Sequence, residues 1–126
     1  MSVFAGHPGA PDRLTVPEAA RRTGHSGAGG DAVLPDVRRS DEWRAGHAPG
    51  AVHLPLEALA AGAELPDCAR VRPLVVICRS GRRSQEAAAL LRARDVDAVD
   101  VVGGMQAWAG AGLPVAGPAG AGGIVA

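Results

Sequence analysis

Leu74-Val75-Val76-Ile77-Cys78-Arg79-Ser80-Gly81-Arg82-Arg83-Ser84 contains an apolar run, a short basic loop and the start of a helix. Leu74 to Ile77 are four consecutive aliphatic residues with no polar alternation, which suits a parallel strand buried on both faces. From Ser84 to Arg94 the period changes, with Ala87, Leu90 and Leu91 at helical spacing. Cys78 thus stands at the carboxyl end of a strand and faces a helix N-terminus, the position at which open α/β sheets bind ligands.

The flanking sequence repeats the alternation. Arg13-Leu14-Thr15-Val16 reads as a short edge strand, and Pro17 suits the first turn of a helix carrying Glu18, Ala19 and Ala20. Ala32-Val33-Leu34 leads through Pro35, awkward in a strand, to Asp36-Val37. Ser40 is placed to cap a helix with Asp41 and Glu42 in its first turn. Ala51 to Leu54 reads as a strand, Leu56 to Ala61 as a helix, Ala98 to Val102 as a strand, and a last short helix begins after Gly103-Gly104. Strands alternating with helices imply an α/β fold with a mostly parallel sheet. Residues 1–12 read as a flexible N-terminal arm, 13–115 as one domain, and 116–126 as a flexible Gly/Ala-rich tail.

Composition narrows the function. The 126 residues fit one domain, and a formal net charge of +0 argues against general nucleic-acid or membrane-surface binding. All 13 basic residues are arginine, so a lysine nucleophile is excluded and any anion site must use guanidinium forks or backbone N–H groups. Two cysteines, Cys68 and Cys78, are too few for a disulfide scaffold, and no C-x-x-C pair occurs. His7, His25, His47 and His53 show no metal-ligand spacing, so no metal cofactor is expected. With no signal-peptide pattern and no membrane-length apolar stretch, a cytoplasmic setting is the expectation.

Within the loop, several effects favour an anionic sulfur on Cys78. A helix N-terminus offers unpaired N–H groups and the positive end of a dipole. Arg79, Arg82 and Arg83 add positive charge, and Gly81 lets the backbone fold into a concave nest of N–H groups. A thiolate in such a cradle is a nucleophile beside a site for an anionic substrate. A buried inert cysteine would need none of these neighbours.

Cys78-Arg79-Ser80-Gly81-Arg82-Arg83-Ser84 closely resembles the active-site loop of rhodanese-like domains, the thiosulfate sulfurtransferase family. Asp36-Val37-Arg38 resembles the family's Asp-x-Arg. Glu42 followed by Gly46-His47-Ala48-Pro49-Gly50-Ala51 resembles its Gly-His-Ile-Pro-Gly-Ala segment, with Ala48 where isoleucine is usual. Gly103-Gly104-Met105 to Trp108, then Gly112-Leu113-Pro114-Val115, resembles the closing segment. The resemblance implies a five-stranded, mostly parallel sheet with helices on both faces. It also implies a Cys78 persulfide, formed from thiosulfate or a persulfide donor and discharged to cyanide or a thiol. Backbone N–H groups and side chains of Arg79, Ser80, Gly81, Arg82, Arg83 and Ser84 would hold the substrate, and a persulfide on a partner protein would use the same cradle. Two other functions compete. One is a non-catalytic rhodanese-like regulatory module, which often lacks the cysteine. The other is a cysteine phosphatase or arsenate reductase; phosphatases of similar fold use Cys-x5-Arg, which would place arginine where Ser84 stands.

Asp36, Arg38, Glu42 and His47 are the supporting candidates. Asp36 and Arg38 lie near the same rim, and an ion pair of Arg38 with Glu42 is the expected arrangement, since partly buried charges need partners. His47 reads as a turn-stabilising residue, because a preformed thiolate needs no base. Cys68 reads as a plain thiol, Trp43 and Trp108 as packing residues.

Overall fold

The computed structural model describes residues 13–27, 29–118 and 122–126. The N-terminal arm expected over 1–12 lies outside them. The elements in chain order are β1 (Arg13–Leu14), α1 (Val16–Thr23), β2 (Pro35–Asp36), α2 (Ser40–Ala45), β3 (Val52–His53), α3 (Leu56–Ala60), α4 (Asp67–Arg70), β4 (Leu74–Val76), α5 (Arg83–Ala93), β5 (Ala98–Val101) and α6 (Gly104–Gly110).

The strands are all parallel. β1 pairs with β5 and β5 with β4, while β2 pairs with β3. Parallel bridges Val33 to Leu74 and Asp36 to Ile77 join the two groups, giving the order β1-β5-β4-β2-β3. Pro35 explains the thin join. Val33 and Val37 donate across it to Pro73 and Ile77, at 2.9 and 3.0 Å, but proline between them has no N–H to give.

β4 is the centre, and its run is apolar because both faces are covered. Val75 and Ile77 pack with Leu14, Val16, Ala19, Val99, Val101, Met105 and Trp108, on the side of α1 and α6. Leu74, Val76 and Cys78 point the other way, among Val37, Leu59, Ala87, Ala88 and Leu91, on the side of α3 and α5. This is strand alternation with period two, and it assigns the Cys78 side chain to the α5 face.

Local chemistry sets the helix starts. Thr15 caps α1 through a capping box with Glu18, with Pro17 in the first turn. Ser40 begins α2 rather than capping it. Arg39 holds the cap position, and its N–H is taken by the Glu42 carboxylate at 3.2 Å. The helix α4 lies within what reads in the sequence as a polar connection. The Gly/Ala-rich end returns to the body: Ala116 exchanges backbone hydrogen bonds with His47, and the Ile124 N–H donates to Ala45 O at 3.1 Å.

Candidate active site

Strand β4 delivers Cys78 to the floor of a loop that closes onto the start of α5. Its side chain is buried. The Gly81 N–H donates to Cys78 Sγ at 3.1 Å, so the nest points at the sulfur. Gly81 can present it because its φ is +97°, in the left-handed region that favours glycine. From the other side α6 grips the loop: the N–H groups of Met105 and Gln106 donate to the carbonyls of Cys78 and Arg79, at 2.7 and 2.9 Å.

Behind the sulfur runs a chain of polar contacts. The Cys78 thiol donates to Ser84 Oγ at 3.3 Å, and the Ser84 hydroxyl donates to Asp100 Oδ2 at 2.8 Å. Asp100 is buried and is held by Arg13, whose Nε and Nη2 donate to its carboxylate at 2.9 and 3.1 Å. Arg13 Nη2 also donates to Gly81 O, so the same guanidinium fixes the nest. Sequence reasoning missed Arg13 and Asp100. The available signal was an acid in the middle of Ala98-Val99-Asp100-Val101, a strand otherwise wholly apolar and buried.

The supporting residues come to the same rim, with different partners than expected. Glu42 does not pair with Arg38. It receives Arg83 in a two-pronged pair, Nη1 to Oε1 at 2.6 Å and Nη2 to Oε2 at 2.8 Å. Arg38 instead folds back on Asp36, donating from Nε and Nη2 at 3.0, 3.1 and 2.7 Å, and its Nη2 also reaches Gly46 O. Both members of that pair are buried. The physical reason is reach: Asp36 lies on the same strand end as Arg38, whereas Glu42 on α2 faces the α5 N-terminus. His47 stacks on Trp43 at a ring separation of 3.6 Å and its Nδ1 contacts Trp43 O at 2.8 Å. Neither ring takes part in the hydrogen bonds of Cys78 Sγ, which run to Gly81 and Ser84. Of the loop arginines, Arg79 donates from Nε to Ala126 O at 2.9 Å. Arg82 is exposed with no side-chain partner among the described residues. Ser80 is exposed beside it. Cys68 is exposed on α4, and both thiols are free.

The Arg83 pair holds the Glu42 carboxyl far down, from its ordinary 4.5 to about 2, with burial working against the hydrogen bonds. Arg83 is raised in turn, chiefly by the same bond. A carboxylate depressed on folding stabilises above its unfolded value, and that contribution is lost as pH falls through the folded one. Wild type is therefore expected to exceed Glu42→Gln by on the order of 3 kcal/mol near neutrality. The gap should close between about pH 4.5 and about pH 2. Urea unfolding of both proteins across that range checks it, and a pH-independent gap would refute the pairing.

The family model for the rhodanese-like domain matches residues 22–111. The chain belongs to the rhodanese-like domain family. A sulfurtransferase of Allochromatium vinosum is 35% identical over 91 residues, covering 71% of this chain and 83% of that protein. The HTH-type transcriptional regulator Rv0324 of Mycobacterium tuberculosis is 35% identical over 106 residues, covering 82% of this chain. The match spans only 44% of that regulator. Among solved structures, a rhodanese-related protein from Thermoplasma volcanium superposes with a TM-score of 0.67 at 25% identity, covering 82% of this chain and 95% of that one. A Rhodopseudomonas palustris protein described as a possible tyrosine phosphatase gives 0.67 at 27%, covering 82% and 83%. The rhodanese-like fold expected from the resemblance is thus the observed one. Among the described residues of the domain, no group of His, Cys, Asp or Glu gathers as metal ligands, and no helix is long and apolar enough to cross a membrane.

Proposed function

We propose that this rhodanese-like domain is a sulfurtransferase that carries a sulfane sulfur on Cys78. The observation behind the reading is the Cys78 sulfur at the end of the central strand, with the Gly81 N–H aimed at it, inside a Cys-x4-Arg loop. The Cys78 thiolate attacks the sulfane sulfur of thiosulfate. A new S–S bond forms, the old one breaks, and its electron pair leaves with sulfite. Cyanide or a thiol then attacks the outer sulfur of the Cys78 persulfide and returns the thiolate. The two steps balance without an outside oxidant or reductant. A reducing cytoplasm would keep Cys78 ready for the cycle.

Backbone N–H groups set before the reaction supply electrostatic stabilisation without reorganisation. Arg79 and Arg82 are the arginines through which the loop would hold an anionic donor, since Arg83 is engaged by Glu42. Ser80, Gly81 and Ser84 complete the cradle around the sulfur.

Intact-mass measurement after thiosulfate treatment is the test. Wild type should gain one sulfur atom on Cys78 and lose it on cyanide addition, and Cys78→Ser should gain none. No gain with thiosulfate or with an organic persulfide would refute the proposal. The transcriptional-regulator relative supports a second reading, a module whose loaded Cys78 is sensed by a partner. That reading requires loading without repeated turnover. The possible-phosphatase neighbour suggests a third, which the x4 spacing to Arg83 disfavours; release of phosphate from an aryl phosphate would support it.

A further inference from the structure

Two hollows open at the rim of the catalytic loop, and both are bordered by Arg39 and Arg83. One, of about 450 Å³, is polar and is bounded by Asp41, Glu42, Arg79 and Ala126 as well. The other, of about 350 Å³, is floored by Val37, Pro55, Leu56 and Ala60, with Glu57 and Glu86 on its walls. Val37 ties this second hollow to the nucleophile. Its N–H donates to Ile77 O at 3.0 Å, and its side chain belongs to the same apolar cluster as Cys78.

Thiosulfate, sulfite and cyanide have no hydrocarbon part. The polar hollow offers them charged side chains, and they gain nothing from the apolar one. A cavity of this size is at the small end for organic ligands, and an apolar floor with a few polar groups is the usual construction of such sites. The charges on its walls define the ligand further. Arg83 is neutralised by both oxygens of Glu42. Arg39 lies 3.5 Å from Asp41 and 3.7 Å from Glu42. Glu57 and Glu86 are exposed and make no ion pair among the described residues. The walls of the hollow therefore carry a net negative charge.

We propose that this hollow is the acceptor subsite of the sulfur transfer, and that it takes a small aliphatic aminothiol. The methylenes lie on Val37, Pro55 and Leu56, and the ammonium is drawn to Glu57 and Glu86. The aminothiol's thiolate attacks the outer sulfur of the Cys78 persulfide. The bond from that sulfur to Sγ breaks, its electron pair returns to Sγ, and an alkyl persulfide departs. The inference rests on the sulfurtransferase reading above.

The test is single-turnover discharge of thiosulfate-loaded protein by cysteamine, 2-mercaptoethanol, 3-mercaptopropionate or cyanide. Each rate is compared between wild type and the double variant Glu57→Gln/Glu86→Gln, so the intrinsic nucleophilicity of each acceptor cancels. Removing the two charges should slow cysteamine about 3- to 10-fold, the size expected for exposed steering charges at low salt. It should leave 2-mercaptoethanol and cyanide unchanged and 3-mercaptopropionate unchanged or faster. Ala60→Phe, which fills the hollow, should slow all three organic thiols and spare cyanide. Equal effects on all acceptors, or none on cysteamine, would overturn the subsite. Normal loading with no charge preference refutes the subsite alone. Failure of wild type to load any sulfur refutes the sulfurtransferase reading and the subsite with it.

Discussion

Asp36→Ala is expected to lower the unfolding free energy by about 3–5 kcal/mol, the usual cost of leaving one member of a buried ion pair alone. Asp36 and Arg38 both have a relative exposure of 0%. Asp36 accepts from Arg38 Nε, Nη2 and backbone N–H, so one carboxylate satisfies three donors. Without it the guanidinium keeps only Gly46 O, and Nη1 is buried with no hydrogen bond to begin with. Few domains hold more than about 5–15 kcal/mol in total, so the variant should be close to unfolding at ordinary temperature. The double variant Asp36→Ala/Arg38→Met should recover much of the loss, because the cost is the stranded charge rather than the missing bond. Urea unfolding of the three proteins measures this. A single-variant loss below about 1 kcal/mol would show that Arg38 finds another partner or water.

The elements read most easily in the sequence are those governed by local pattern. Leu74 to Ile77 is buried on both faces, so its composition states its role, and the helix after it shows in Ala87, Leu90 and Leu91. Cys78 follows from where that strand ends. The partners of the charged residues depend on strand order, which local pattern does not contain. Arg13 and Asp100 meet because β1 lies beside β5, although the two stand 87 positions apart in the chain. Glu42 meets Arg83 rather than Arg38 because α2 and the α5 N-terminus converge on the loop. The stack of His47 and His53 on Trp43 is likewise a tertiary event, built from rings whose spacing in sequence carries no period. The family segments pick out residues that the fold gathers around Cys78 without showing which of them bind each other.

Gly104→Ala is expected to reduce sulfur transfer by about 100-fold or more, on the scale of an ångström-sized displacement of reacting groups. Gly104 has φ +56°, a conformation that costs an L-residue on the order of 1–2 kcal/mol. The larger effect is contact. A Cβ built there overlaps Cys78 O and comes 2.7 Å from Arg79 C and 2.8 Å from Arg79 O, all backbone atoms that cannot rotate away. Either the Cys78–Arg79 peptide moves or the α6 N-terminus does. Both outcomes disturb the bonds from Met105 and Gln106 that hold the loop, and with them the Gly81 N–H at the sulfur. Gly112→Ala is the control. Gly112 has φ +79°, yet its added Cβ meets nothing within 4 Å. It should lose on the order of 1 kcal/mol of stability and keep full activity. Thiosulfate-to-cyanide turnover and urea unfolding of both variants separate backbone strain from the closeness of α6 to the loop. Equal activity losses in the two variants would show that the contact at Gly104 does not set the geometry of Cys78.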